Sequence, residues 1–492
     1  MDMMSDATRM LEALETKTVS ARELAMASFA RIEALDGRTR AIVATDREGA
    51  LSRAAAIDDA RARGEPVGPL AGLPLSVKDA LCAVGMPTTS GARELASHRP
   101  AEDAPSVARL RAAGAVLVAK TNLPKFAGDI ETENELFGRT NNPWDLTRTP
   151  GGSSGGSAVA LAMGFSAIEL GSDLGGSMRT PCHFNGVFGH KPSHALVPTR
   201  GHITGPLGRV APIDLGVVGP MARSARDLDR MLAVLAGPDP IFGEEGDFTL
   251  PAPRATDLRD FRVAAWLDDP RCPVDTAMRT VLEAAVDALE RAGAHIDRKA
   301  RPAVDLLDNF ALSLSLVPAV ISEDLPAGAF FGLTLASPVL KLLPGDAGRF
   351  ARGLVQRHRD WLLTDERRHA VRVRWAEFFR SFDVVITPAA VTAAFPHSTT
   401  RNKLARKVSV DGVMTTMLVQ STWPQLATLA YLPATVVPVG RTADGLPVGA
   451  QVLGPYRGDR TTIAFAAAVE RVLGGFEAPP LAGREPRAND PA

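Results

Sequence analysis

Cysteine is scarce: Cys82, Cys182 and Cys272 are the only three in 492 residues, and they lie far apart. No CxxC pair or His/Cys cluster accompanies them, which excludes a disulfide framework and a structural zinc. Aromatic residues make up 5% and the formal net charge is −1. Neither the basic field nor the stacking surface of a nucleic-acid binder exists, nor a field for an anionic membrane. Long apolar runs are missing too. The best candidate, Phe310 to Ser322, contains Pro318 and falls short of the roughly 20 residues that span a bilayer. The first residues carry Asp2 and Asp6 and lack the basic start and apolar core of a signal peptide. A cytoplasmic protein acting on a small molecule, without nucleic acid or membrane, is the expectation. No internal repeat and no GxxxxGK[ST] or GxGxxG loop is found.

What is present is an ordinary globular balance, 45% hydrophobic and 23% charged. Residues 5–60 read as helices, because Leu11, Leu14, Leu24, Ala25, Phe29, Ile32 and Leu35 recur at helical intervals. From Gly72 short apolar runs alternate with helical patterns. Leu73–Asp79 reads as a strand ending in Lys78, Ser106–Gly114 as a helix, and Ala115–Lys120 as a buried strand. Further strands are expected at 262–266, 382–388, 434–439 and 448–454, the last two flanking the hairpin signal Asp444-Gly445. Helices are expected at 277–292 and 461–473, with a loose tail after Pro479. This alternation predicts an α/β fold. The segment 305–345 is apolar at helical spacing. Core packing explains it first, and an apolar lid or wall over a pocket second. The arginines of 349–380 share a helical period with apolar residues and read as a solvated face.

The chemistry concentrates in residues 150–181. Pro150-Gly151-Gly152-Ser153-Ser154-Gly155-Gly156-Ser157 leads into a small-residue helix, then a short strand at Ala167–Leu170, then Gly171-Ser172-Asp173-Leu174-Gly175-Gly176-Ser177. Two glycine-rich turns thus each end at serines, and successive N–H groups there can converge on an oxyanion. A serine nucleophile needs a base. Of nine histidines, His183, His190 and His194 follow closely, yet none sits in a triad signature. A buried lysine can serve instead, because burial disfavours its charged form. Lys78 suits that description, although taken alone it reads as a surface lysine or as the ion-pair partner of Asp79. A GxSxG nucleophile elbow also fits residues 152–156, but the residues before it, Asn142 to Pro150, cannot form the required strand.

These stretches resemble the amidase signature family. The likeness includes Gly72–Asp79, Lys120–Pro124, Phe137–Trp144, Pro150–Ser157, Gly175–Pro181, Gly189–Pro192 and Gly445–Gln451, and covers roughly residues 5–475. Similar bacterial enzymes include 6-aminohexanoate cyclic-dimer hydrolases, aryl acylamidases and urethane-cleaving amidases. The resemblance implies a single α/β domain over 1–480, with a mixed β-sheet covered by helices on both faces, and a loose tail at 481–492. Within it lie a helical region 5–60, a catalytic core 70–230 and a helical lid or substrate region 300–380. It implies Ser177 as nucleophile, Ser153 as the bridging serine and Lys78 as neutral base. The N–H groups of Leu174, Gly175, Gly176 and Ser177 would form the oxyanion hole. Gly128, Asp129, Ile130 and Thr132, with Glu131, would face the substrate. Neither metal nor organic cofactor is implied. Lys125, Cys182-His183-Phe184-Asn185 and Ser193-His194 depart from the usual pattern. Cys182 reads as a small buried residue, and Asp173 with Arg179 as a pair holding the loop or a plain surface pair. The expected activity is cleavage of amide or carbamate (urethane) C–N bonds in hydrophobic small molecules through an acyl-enzyme, by a monomer or homodimer. The alternative is the glutamine-hydrolysing A-type subunit of a tRNA-dependent amidotransferase.

Overall fold

The computed structural model describes residues 1–205, 207–242, 248–340, 342, 344–400 and 402–483. Among the described residues, eleven strands form one mixed sheet. They are β1 (Ile42–Thr45), β2 (Pro74–Lys78), β3 (Val116–Thr121), β6 (Ile168–Asp173), β7 (Phe188–Lys191), β8 (Val217–Ala222), β9 (Arg262–Ala265), β10 (His295–Asp297), β11 (Val384–Pro388), β14 (Ala434–Arg441) and β15 (Pro447–Leu453). Two small pairs stand apart: β4 (Glu133–Asn134) with β5 (Gly138–Arg139), and β12 (Lys407–Val410) with β13 (Val413–Thr416). The order in the large sheet is β1-β3-β2-β6-β8-β7-β14-β15-β11-β9-β10.

Strand β2 carries the lysine. It runs parallel to both β3 and β6, with Leu75 opposite Leu117 and Ile168. Successive side chains of a strand face opposite ways. Leu75 and Val77 enter the main apolar core with Ile168 and Leu170. Ser76 and Lys78 therefore point to the other face, where the helix Gly155–Ala162 packs with a second core of Ala158, Leu161, Met178 and Val436. Helices cover both faces, so β2, β3 and β6 are fully buried, as a parallel sheet segment requires.

Two expectations need correction. The region 5–60 is not wholly helical: Ile42–Thr45 forms β1 and pairs antiparallel with β3. Four residues between two helices carry too little period to announce a strand, and the edge pairing decides it. Leu481 and Ala482, assigned to a loose tail, are buried against Ala160, Met163 and Phe165. The remainder of that tail, 484–492, lies outside the described residues. Among the described residues no helix is long and apolar enough to cross a membrane.

Candidate active site

The parallel strands β2 and β6 end side by side, and ligands of open α/β sheets bind beyond such carboxyl ends. Lys78 is the last residue of β2, and Ser172-Asp173 close β6. Lys78 is fully buried, and its Nζ lies 2.6 Å from Ser153 Oγ, 3.0 Å from Ser154 Oγ and 2.9 Å from Ser172 Oγ. Burial lowers its pKa from 10.5 to about 7, against the opposing pull of Asp173 and Glu169. Asp79 does not pair with Lys78. Its carboxylate faces Lys120 Nζ at 3.5 Å and accepts from Thr89. The chain turns at Asp79, just past the end of β2, so the neighbour in sequence is not the neighbour in space.

The loop carrying Ser153 is pressed into place by glycine. A Cβ on Gly152 would stand 2.7 Å from Asp129 O and 3.0 Å from Glu131 N, too close for any side chain. The Gly152–Ser153 peptide is cis. Ser154 N–H donates to Ser177 O at 2.9 Å, which lays the two serine loops against each other. Ser177 is half-buried and shares with Ser153, Leu174 and Gly175 the wall of a cavity of about 370 Å³.

The second loop turns on Asp173. Its carboxylate accepts from Gly176 N–H at 2.9 Å, Met178 N–H at 3.1 Å and the Arg179 guanidinium at 2.8 and 3.0 Å. Burial alone would raise its pKa, but Arg179 and these amides outweigh it and hold the carboxyl well below the usual range. The pair is thus buried and structural, not a surface contact. Arg179 continues to Pro424 O, Gln451 and Thr428, each within 2.8 Å. Removing one member of a buried pair strands the other. Asp173→Asn is expected to lower unfolding free energy by about 3–5 kcal/mol, read by urea denaturation; a loss below about 1 kcal/mol would contradict the assignment.

Asp173 also corrects the expected oxyanion donors. Gly176 N–H donates to its carboxylate at 2.9 Å, which takes it out of the expected donor set. Gly176 is needed for another reason: its φ is +109°, and a Cβ would meet Pro424 and Thr180 at 3.0 Å. Of the residues expected at the substrate, Gly128, Asp129 and Ile130 line the cavity. Thr132 does not. It stands behind the wall and donates to Gly151 O at 2.8 Å.

The apolar segment divides. Val317, Val320 and Ile321, at the end of the helix Leu306–Ile321, line the cavity together with Phe350. Phe331, Leu335, Val339 and Leu342 are exposed. Sequence reasoning missed Ile213, Val217, Leu404, Met417 and Leu418, which complete the apolar lining from distant parts of the chain. The histidines that follow the serine loops are otherwise engaged, whereas His202 lines the cavity itself. His183 faces Thr392 O and accepts from Gly449 N–H, and His190 contacts Thr435 and Asp459. Cys182 is buried, which pushes its thiol pKa upward. A larger groove, about 1140 Å³, runs along the helix His358–Ser381 and away from the serines. Its Arg254 and Arg262 pair with Asp383, and Arg380 with Glu377, in keeping with a solvated face.

A buried lysine set among serines, at the carboxyl ends of parallel strands and beside an apolar cavity, is an arrangement suited to hydrolysis. The amidase family model matches residues 23–463, and the chain belongs to that family of enzymes acting on C–N bonds. It is 35% identical to the A-type subunit of glutamyl-tRNA(Gln) amidotransferase from Anaeromyxobacter sp. (strain K), covering 94% of this chain and 95% of the relative. It is similar to a chain of the vestigial protein complex that reveals the origins of an s-triazine catabolic enzyme, with TM-score 0.80, 28% identity, and 96% and 100% of the two chains covered. It is also similar to the peptide amidase of Stenotrophomonas maltophilia, with TM-score 0.74, 27% identity, and 96% and 98% covered.

Proposed function

We propose that the chain hydrolyses amides or carbamates of hydrophobic small molecules, with Ser177 as nucleophile and Ser153 and Lys78 as its proton relay. The observation that carries this reading is the 2.6 Å contact between Lys78 Nζ and Ser153 Oγ at the edge of an apolar cavity. An uncharged amine has two N–H groups and one lone pair. Ser154, whose hydroxyl is directed to Ser172 O, and Ser172 accept the two N–H groups; the lone pair is left for the Ser153 proton. Ser153 in turn draws the proton of Ser177, whose Oγ attacks the carbonyl carbon. The N–H groups of Leu174, Gly175 and Ser177 hold the developing oxyanion. The C–N bond breaks as Ser153 returns its proton to the leaving nitrogen, and water then hydrolyses the Ser177 ester by the same relay.

The amidotransferase relatives favour a second reading, glutamine hydrolysis. Glutamine carries an α-carboxylate and an α-ammonium, which a binding site must pair. Among the described residues lining the cavity, Asp173 is consumed by Arg179, and Asp129 by Lys403 and Arg406. The remaining walls are mostly apolar, which suits an uncharged substrate. Purified single chain is expected to release 4-nitroaniline from acyl-4-nitroanilides, or the amine from aryl carbamates, faster than ammonia from glutamine. The reverse preference would make the amidotransferase reading the correct one.

A further inference from the structure

The geometry points to Arg406 as the positioning residue that sets which substrates the cavity accepts, by pinning one of its walls onto another. This inference rests on the proposed hydrolysis at Ser177. The first wall is the segment Gly128–Glu131. The second belongs to the chain between His397 and Leu418, an excursion from the large sheet that includes β12 and β13 and contributes Leu404, Met417 and Leu418 to the cavity.

Arg406 is 8% exposed and reaches across between the two. Its Nη1 lies 2.9 Å from Asp129 Oδ2 and 3.1 Å from Glu131 Oε2. Two carboxylates two residues apart would repel one another, and the guanidinium between them removes that repulsion. The same residue holds its own segment together. Its Nε donates to Thr400 O at 2.8 Å, and its carbonyl accepts from Met417 N–H at 3.0 Å. One side chain therefore fixes the distance from Ile130 to Met417, which meet in a small apolar cluster with Val408 and Phe395. Without it the cluster can part, and an apolar substrate loses close contact on both sides. A small amide, which touches neither wall fully, has little to lose.

Loss of Arg406 does not leave the acids bare. Lys403 remains 3.3 Å from Asp129, and Ser398 N–H donates to Glu131 at 3.0 Å. Thr132 still braces Gly151, so the serine loop keeps its support.

The test compares full-length wild type, Arg406→Gln and Arg406→Lys on 4-nitrohexananilide and on propionamide, with fluorophosphonate labelling as a third readout. Arg406→Gln is expected to raise KM for the anilide about tenfold, the scale of a lost pocket contact. Its kcat, the kcat/KM for propionamide and the labelling rate should stay within about twofold, with Lys restoring part of the KM. Equal losses on both substrates would mean that Arg406 only supports the fold, and no change on either would mean that it does nothing; both overturn the inference. Should Arg406→Gln fail to fold, Lys403→Gln, half-exposed, is expected to move the same ratio in the same direction by less, and an unmoved ratio overturns the inference. Wild type that neither labels nor cleaves an amide would instead overturn the reading beneath it.

Discussion

Ser177→Ala is expected to lower turnover of any cleaved amide by about 10⁵- to 10⁶-fold while leaving the fold intact. The loss is large because the acyl-enzyme cannot form, and the remaining donors supply only the modest stabilisation of an attacking water. The fold should survive because Ser177 is half-buried on a cavity wall and takes part in the loop contact through its backbone carbonyl, which alanine keeps. Stability should move by less than about 0.5 kcal/mol. Steady-state rates with an acyl-4-nitroanilide, and thermal unfolding of the same preparation, check both halves. Retention of a tenth or more of wild-type turnover would remove Ser177 from its role.

Lys78→Met should cost about 10³- to 10⁴-fold in kcat/KM, the scale of a positioned general base working with a nucleophile. Methionine fills similar space without a buried amine, so the loss should not come from unfolding. On the proposed mechanism the active form is the uncharged amine. With its pKa lowered to about 7, kcat/KM should climb with pH up to about 7 and then level. The same depression has a stability consequence. Between about 7 and 10.5 the unfolded chain holds a proton on Lys78 that the folded chain has released, so stability rises with pH across that window. Lys78→Met should remove that part of the rise. Lys191, also buried and lowered to about 7, contributes a similar slope that stays in both proteins. A Lys78→Met enzyme with near-normal rates at neutral pH would show that another group is the base.

The positions legible in the sequence were those fixed by local pattern. Alternation and glycine punctuation placed β2, β3 and the hairpin β14–β15 within a residue or two. The serine loops announced themselves through Gly151–Ser157 and Leu174–Ser177. Partnership was a different matter. Asp79 borders Lys78 in sequence yet turns to Lys120, because the chain leaves the strand after Lys78 and turns there. Gly176 looked like an oxyanion donor until Asp173, three residues earlier, claimed its N–H. The Arg406–Asp129 pair spans 277 positions, and nothing in either local sequence marks the other. The exposed helix Ala327–Leu335 shows the converse: an apolar run reads as wall or core, whereas its Phe331 and Leu335 face outward.

Activation of Ser177 by an uncharged Lys78 through Ser153 is tested most directly by the rate of fluorophosphonate addition to the wild-type protein as a function of pH, with the adduct mapped by peptide mass spectrometry. A single adduct is expected on Ser177, and its rate of formation should rise through about pH 7 and then plateau. An adduct on Ser153 or Ser154, or a rate on Ser177 that is flat from pH 5 to 9, would contradict that mechanism.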